Sequence, residues 1–260
     1  MPDQRKVYYD HEPGYKKLAE KGEKGWRVNG KSCNFQLCWN LAFAPGFLPR
    51  PKVRVLDFGC GGGEFAIMLA KKGYDVVGTD YSATAIKLAK QNANRAGLKN
   101  AKFHCQDALK PKLRLNFFDV IFSVSVLHCL IGKDRMTYLR NCGKLLKKRG
   151  LLVITSMVGL PKDKNIIKEW GINKSTGIDK YHARCYASEK QILSEFKRAG
   201  FKTIFFTRSE ARDSYPGDED YFWILEKKNR ATPDWAEAIR AGKKEVRNKV
   251  KGISLKKLAG

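Results

Sequence analysis

Between residues 53 and 156, short apolar runs rich in β-branched residues alternate with stretches whose apolar positions recur every three to four residues. Val53–Phe58 is nearly unbroken in hydrophobicity, as a strand buried on both faces must be. Glu64–Lys72 places Phe65, Met68 and Leu69 at helical spacing. The alternation continues with a strand at Tyr74–Thr79 and a helix at Ala83–Arg95, which Ser82 caps and Gly97 ends. Strands at Ala101–Cys105 and Phe118–Ser123, a helix over Asp134–Lys147 and a strand at Leu151–Ser156 complete it. This order predicts a parallel sheet covered by helices on both faces.

Residues 157–186 break the pattern with a long, polar, irregular segment, the kind of insertion at a sheet end that usually carries function. Ser188 and Gln191 then form a capping box, and the helix they open runs to Ala199, before Gly200. Phe201–Thr207 and Tyr221–Lys227 follow each other without a helix between them, so they should pair antiparallel. The expected fold is an α/β three-layer α/β/α sandwich with a seven-stranded, mostly parallel sheet. Residues 1–50 hold two short helical patches with Tyr8, Tyr9, Tyr15, Trp26 and Trp39 but no strand. They read as a helical cap over the ligand end of the sheet. The core is expected over 51–228, with a substrate insertion at about 157–186, and Thr232-Pro233-Asp234 begins a basic helical extension within 229–260.

Composition adds one open question. The 260 residues carry 51 Lys/Arg against 26 Asp/Glu, a formal net charge of +25. Such an excess suits nucleic acid or an acidic membrane surface, but it also arises from solvated lysines. The segment 229–260 contributes +6, so the charge is spread along the chain rather than held in a tail. No apolar run approaches the roughly 20 residues that span a bilayer. The N-terminus leads into no signal-like region, so a cytoplasmic location is expected. Seven cysteines (Cys33, Cys38, Cys60, Cys105, Cys129, Cys142 and Cys185) form no C-x-x-C pair, which predicts reduced thiols and no metal site.

The turn after the first strand, Asp57-Phe58-Gly59-Cys60-Gly61-Gly62-Gly63-Glu64, is glycine-rich. Such turns serve several cofactors, and charge separates them. A dinucleotide loop offers a bare helix N-terminus to a pyrophosphate. Here Asp57 and Glu64 flank the turn, and Glu64 stands where G-x-G-x-x-G wants its last glycine. Two carboxylates repel a pyrophosphate and suit a cation. Asp80, 23 residues after Asp57, sits where a carboxylate can accept from both ribose hydroxyls. Asp107 follows the third strand, where it can accept from an adenine amino group while the Ala108 N–H serves a ring nitrogen. Ser123 ends the fourth strand and is expected near the amino-acid part of the ligand.

These segments resemble the core of class I, Rossmann-like S-adenosylmethionine-dependent methyltransferases. The likeness covers Val53 to Ser156: Leu56-Asp57-Phe58-Gly59-Cys60-Gly61-Gly62-Gly63, Gly78-Thr79-Asp80-Tyr81-Ser82, Gln106-Asp107-Ala108, Phe118-Asp119-Val120-Ile121 and Val126-Leu127-His128. Within that family the chain looks most like the small-molecule branch near tellurite-resistance-type and ubiquinone-biosynthesis-type enzymes. The resemblance implies sheet order 3-2-1-4-5-7-6 with the last strand antiparallel. It implies S-adenosyl-L-methionine as cofactor, held by Asp57, Gly59, Cys60, Gly61, Asp80, Tyr81, Asp107, Ala108 and Ser123. Lys148-Arg149-Gly150 departs from the family's usual Pro-Gly-Gly and should alter a turn only.

Methyl transfer from a sulfonium needs alignment and desolvation, and a base only where the nucleophile holds a proton. His128 is the candidate base; a satisfied core histidine is the competing reading. His182, Arg184 and Tyr186 are candidate holders of an acidic substrate group, against the reading of an exposed loop. No Asn-Pro-Pro-Tyr-type motif follows strand four, where Ser123-Val124-Ser125-Val126 stands. That absence favours a small-molecule acceptor. An RNA or ribosome-associated methyltransferase using the basic surface, and a non-catalytic cofactor-binding protein, remain as alternatives.

Overall fold

The computed structural model describes residues 9–23, 53–180, 184–211 and 218–227. The expected cap residues Tyr8, Trp26 and Trp39, the candidate His182 and the basic extension at 229–260 lie outside them. Seven strands form one sheet: β1 (Arg54–Phe58), β2 (Asp75–Asp80), β3 (Ala101–Cys105), β4 (Phe118–Ser123), β5 (Leu146–Val158), β6 (Phe201–Ala211) and β7 (Asp218–Lys227). Their order is β3-β2-β1-β4-β5-β7-β6. β1 pairs parallel with β2 and β4, and β5 parallel with β4, while β7 runs antiparallel to both β5 and β6.

The helices are α1 (Glu12–Glu20), α2 (Glu64–Lys71), α3 (Ala83–Arg95), α4 (Lys133–Leu145), α5 (Lys164–Glu169) and α6 (Glu189–Arg198), with a 3-10 turn at Leu127–Cys129. Alternation along the strands sends side chains to opposite faces of the sheet. Val55, Val120, Phe122, Leu151 and Val153 pack against Phe65, Leu69, Ile86 and Ala89 of α2 and α3. Leu56, Ile121, Leu152, Ile154 and Trp223 pack on the other side against Tyr138, Leu139, Ile192 and Phe196 of α4 and α6. Strands β1, β4 and β5 are buried on both faces, which explains their near-continuous hydrophobic runs.

The structure differs from the pattern-based expectation at three places. β5 begins at Leu146 rather than Leu151, because Phe118 pairs with Leu146 before the register jumps to Val120 with Leu151. The departure at 148–150 lies inside that irregularity, and a Cβ at Gly150 would sit 2.8 Å from Leu146 Cδ2. Next, β6 and β7 extend past the predicted ends to Ala211 and from Asp218. The added strand ends, Arg208-Ser209-Glu210-Ala211 and Asp218-Glu219-Asp220, are charged and small in sequence, so hydrophobic pattern alone stops short. Last, the insertion contains α5, capped by Asp163 through the Asn165 N–H at 2.8 Å. That helix has six residues and buries none of them, so it leaves no apolar period in the sequence.

Two local devices anchor the functional end. Ser82 caps α3 by accepting from the Ala85 N–H at 3.0 Å. Ser188 caps α6 by accepting from the Gln191 N–H at 3.2 Å. The Gln191 side chain donates to Glu195 at 3.2 Å, so it serves its own helix.

Candidate functional site

The carboxyl ends of β1, β2, β3 and β4 converge on one edge of the sheet. The turn after β1 is folded by Gly59 and Cys60, whose N–H groups both donate to the Thr79 carbonyl at 2.8 and 2.9 Å. Gly59 has φ +90°, and a Cβ there would lie 2.3 Å from Val126 Cγ2. Glycine is therefore required, and it lets the loop lie flush against the turn that follows β4. Gly61, at φ +52°, donates its N–H to Asp80 Oδ2 at 2.9 Å. Asp80 Oδ1 accepts from the Ser82 N–H at 2.9 Å, so a single carboxylate ties the glycine turn to the β2–α3 turn. Burial pushes Asp80 up, opposed by these two hydrogen bonds.

Asp57 is 2 % exposed. Burial pushes its pKa up to about 7, against the lowering effect of a hydrogen bond from the Ala66 N–H in the first turn of α2, with Asp80 adding a further upward push. The N-cap of α2 is Gly63, which has no side chain to offer, so Asp57 supplies that acceptor from the neighbouring strand. Its Oδ2 is buried and has no hydrogen-bond partner. A buried, unsatisfied carboxylate oxygen is costly, and a donor from a bound cation relieves it.

Asp107 accepts from the Leu109 N–H at 2.8 Å and from Tyr9 Oη at 3.1 Å to each oxygen. Tyr81 meets Tyr9 edge-on, with ring centroids 5.4 Å apart. Ala108 is half-buried, and its carbonyl accepts from the Asn141 side chain at 3.0 Å. Cys60 is buried, and burial together with Asp57 and Asp80 raises its thiol, so it is a small apolar wall rather than a nucleophile. Ser123 is placed otherwise than expected. It is fully buried, and Tyr138 Oη on α4 donates to it at 2.7 Å, so its side chain belongs to the core beneath the crevice.

No local pattern marks the individual partners of residues 9–15, yet this segment of the expected cap reaches every loop named above. Tyr9 bonds Asp107, Glu12 accepts from Ser82 Oγ and from Thr84, and Tyr15 lies against Gly61, where a Cβ would approach its Oη to 2.5 Å. Tyr9 and Tyr15 were visible only as aromatics in a segment with no strand. Their partners are nearly a hundred and nearly fifty residues away, beyond the reach of any local pattern.

The turn after β4 carries the candidate chemistry. Ser125 adopts φ +60°, and its N–H donates to Thr155 Oγ1 at 2.9 Å. This bend folds the chain into the 3-10 turn that buries His128 and Cys129. His128 Nδ1 accepts from the Met157 N–H at 3.2 Å. A backbone N–H only donates, so Nδ1 carries no hydrogen and the neutral ring bears its proton on Nε2. A general base needs a free lone pair towards the acceptor, and that tautomer offers none there. The geometry accordingly fits the core-histidine reading better than the base reading. His128→Leu should orphan the Met157 N–H and cost about 1–3 kcal/mol in urea denaturation. A variant as stable as the parent would remove this account.

Arg184 Nη1 lies 3.5 Å from Cys129 Sγ and 3.4 Å from His11 Nε2. Tyr186 is buried in a satellite cluster with Met157 and Ile172, which places its ring in packing rather than at an exposed loop. The structure thus brings Arg184 to the turn after β4 and packs the Tyr186 ring on Met157, whose N–H bonds His128 of that turn. Among the described residues no group of three or more His, Cys, Asp or Glu is arranged to hold a metal ion. No described helix is long and apolar enough to cross a membrane.

A protein-family model described as a methyltransferase domain matches residues 49–215. The chain belongs to this methyltransferase family. Its similarity to curated proteins is partial. The ubiquinone biosynthesis O-methyltransferase of Cereibacter sphaeroides is 33% identical over 119 residues, covering 44% of this chain and 45% of that enzyme. The one from Coxiella burnetii is 36% identical over 103 residues, covering 40% and 43%. The chain therefore matches less than half the length of these relatives. Among solved structures, magnesium protoporphyrin IX methyltransferase from Synechocystis, with bound S-adenosylhomocysteine, has a TM-score of 0.56 at 21% identity, covering 74% of this chain and 80% of that one. The [4+2]-cyclase SpnF has a TM-score of 0.66 at 17% identity, covering 85% and 96%. These two likenesses show the methyltransferase fold alone; a cyclase among them illustrates that reaction chemistry is set by the site and not by the fold.

Proposed function

We propose that this methyltransferase-family chain binds S-adenosylmethionine and transfers its methyl group to a small-molecule acceptor. The observation that carries the reading is the buried, partnerless Asp57 Oδ2 beneath a glycine turn flanked by Asp80 and Asp107. The residues fit the cofactor. Asp57 offers an anionic acceptor for its cationic end, Gly59 and Gly61 admit close backbone approach, Asp80 would accept from the ribose hydroxyls, and Asp107 with Ala108 would hold the adenine. Each Asp80 oxygen uses one lone pair on a backbone N–H and keeps another for a hydroxyl. When bound, the cofactor supplies an electrophilic methyl group already attached to a good leaving group.

The chain's own residues then align and shield the acceptor. His128, locked by Met157, and the Val126 contact with Gly59 fix the β4 turn at the rim of the cofactor loop. Residues 9–15 cover the loop ends from above, consistent with a cap that keeps water out. Arg184 brings a cation to the same turn and suits an acceptor with an acidic group. The curated relatives, named as O-methyltransferases of ubiquinone biosynthesis, support a small hydroxyl-bearing acceptor.

The pH dependence follows from Asp57. Its folded pKa, about 7, lies above its ordinary value of 3.8. The folded ligand-free chain therefore binds more protons than the unfolded chain in that window, and its stability should fall as pH rises from about 4 to about 7. A cation needs the ionised form, so affinity for S-adenosylhomocysteine should rise over the upper part of the same range, with proton release on binding. Calorimetry in buffers of different ionisation enthalpy reads that proton; binding with none released below about pH 7 would count against Asp57 as the partner.

The reaction itself is tested with methyl-tritiated cofactor and a metabolite extract, followed by chromatography. Transfer of label to a small hydroxylated compound is expected. Label passing only to RNA would establish the RNA reading instead. Cofactor binding with no transfer to any fraction would mark a non-catalytic binder.

A further inference from the structure

His11, His128, Cys129 and Arg184 meet where the segment before α1 reaches the β4 turn. None of them is needed to bind the cofactor's ribose or adenine. His11 Nδ1 lies 2.9 Å from the Tyr9 carbonyl oxygen, which only accepts, so Nδ1 carries a hydrogen. The neutral ring therefore presents Nε2 as a bare acceptor. Nε2 lies 3.9 Å from Cys129 Sγ on one side and 3.4 Å from Arg184 Nη1 on the other. Arg184 Nη1 is itself 3.5 Å from Sγ, and the other acceptor near the thiol is the Ser125 carbonyl at 3.5 Å. A proton acceptor and a guanidinium on the same sulfur are the two neighbours that turn a thiol into a thiolate.

The charges facing the sulfur come from four elements. Burial pushes the Cys129 thiol up, but Arg184, His128 and His11 outweigh it and hold the thiol well below its ordinary range. Asp80, from the end of β2, interacts with the sulfur as one negative charge with another. The Cys129 hydrogen bond raises His11, with burial and Arg184 opposing, so the two members shift in the complementary directions of an ion pair.

We propose that Cys129 and His11 form a thiolate–imidazolium pair steadied by Arg184, and that Cys129 is a modification site for hydrogen peroxide. Cys129 is 9 % exposed, which favours a reagent as small as peroxide over bulky electrophiles. The sulfur attacks one peroxide oxygen, so an S–O bond forms as the O–O bond breaks. The electron pair leaves on the second oxygen as hydroxide, which takes the His11 proton and becomes water. The sulfur is oxidised by two electrons to sulfenic acid, and the peroxide is reduced to water. This site goes beyond methyl transfer and does not depend on it.

Cys105 provides the internal control. It is exposed, while burial of part of its thiol and the nearby Asp80 and Glu12 push it up. If exposure governs oxidation, Cys105 reacts first; if thiolate character governs, Cys129 does. The full chain is treated with limiting hydrogen peroxide near neutral pH, quenched with catalase, unfolded in denaturant containing dimedone so that buried and exposed sulfenic acids are trapped alike, and read by peptide mass spectrometry. Cys129 should be trapped about tenfold faster than Cys105, and His11→Gln and Arg184→Met should each slow Cys129 about tenfold without changing Cys105. Cys105 reacting as fast as Cys129, or folded variants leaving the Cys129 rate unchanged, would overturn the proposal. If a variant fails to fold, the two rates in the unaltered chain decide. Titration of the same preparation with S-adenosylhomocysteine keeps the tests separate, because lost cofactor binding with retained Cys129 reactivity sinks the methyltransferase reading alone.

Discussion

Asp80→Ala is expected to weaken S-adenosylhomocysteine binding by about 100-fold. The carboxylate accepts from the Gly61 and Ser82 N–H groups, both at 2.9 Å, and joins the two turns that form the floor of the site. Its removal leaves both donors without that acceptor and deletes the proposed ribose partner. Hydrogen bonds to a charged group contribute about 1.5–3 kcal/mol each, so losing those to the ribose together with the fixed loop costs about 3 kcal/mol, or about two decades in affinity. Asp80→Asn keeps one oxygen and should fall between the parent and the alanine variant. Calorimetric titration measures all three, with circular dichroism as the check on folding. Unchanged affinity in a folded alanine variant would mean that the ribose is held elsewhere.

The largest stability effect is expected at Glu195. Arg135 is 0 % exposed and forms a fork on the Glu195 carboxylate, with Nε at 2.9 and 3.0 Å and Nη2 at 2.8 Å. The pair joins α4 to α6. Arg135 Nη1 also donates to the Leu127 carbonyl at 2.8 Å, so it supports the 3-10 turn that carries His128 and Cys129. Glu195→Ala leaves a buried guanidinium without its counter-charge and should cost about 3–5 kcal/mol in chemical denaturation. The double change Arg135→Met with Glu195→Leu removes both charges and should recover most of that loss, because paired burial repays little beyond desolvation. A single variant within about 0.5 kcal/mol of the parent would show that the pair is solvated in the folded chain.

Much of the architecture was legible because the hydrophobic pattern of β1, β4 and β5 reflects burial on both faces, which no exposed segment reproduces. The antiparallel ending was legible because two strands followed each other with no crossover helix. Short α5 was not, since it buries nothing and its period has nothing to record. Legibility of the site divides the same way. Asp57, Asp80 and Asp107 stand out because each lies at or just beyond the carboxyl end of a recognisable strand and carries a charge that a parallel-sheet core does not need. Ser123 looked equivalent by position, but the direction of its side chain depends on Tyr138, fifteen residues on and on another element. His128 was legible as a histidine near the right place. Its tautomer depends on the Met157 N–H from the next strand, which no reading of residues around His128 reveals. The partner of Tyr9, and the roles of His11 and Glu12 altogether, were hidden for the same reason, because they exist only in tertiary contact.

The central claim is that the acid-flanked glycine turn selects a cationic adenosyl cofactor over a pyrophosphate. Parallel calorimetric titration of the full chain with S-adenosylhomocysteine and with a nicotinamide dinucleotide tests it most directly. The expected result is S-adenosylhomocysteine binding of about micromolar strength or better, with no detectable heat from the dinucleotide. A folded chain that binds the dinucleotide as tightly, or binds neither, would contradict it.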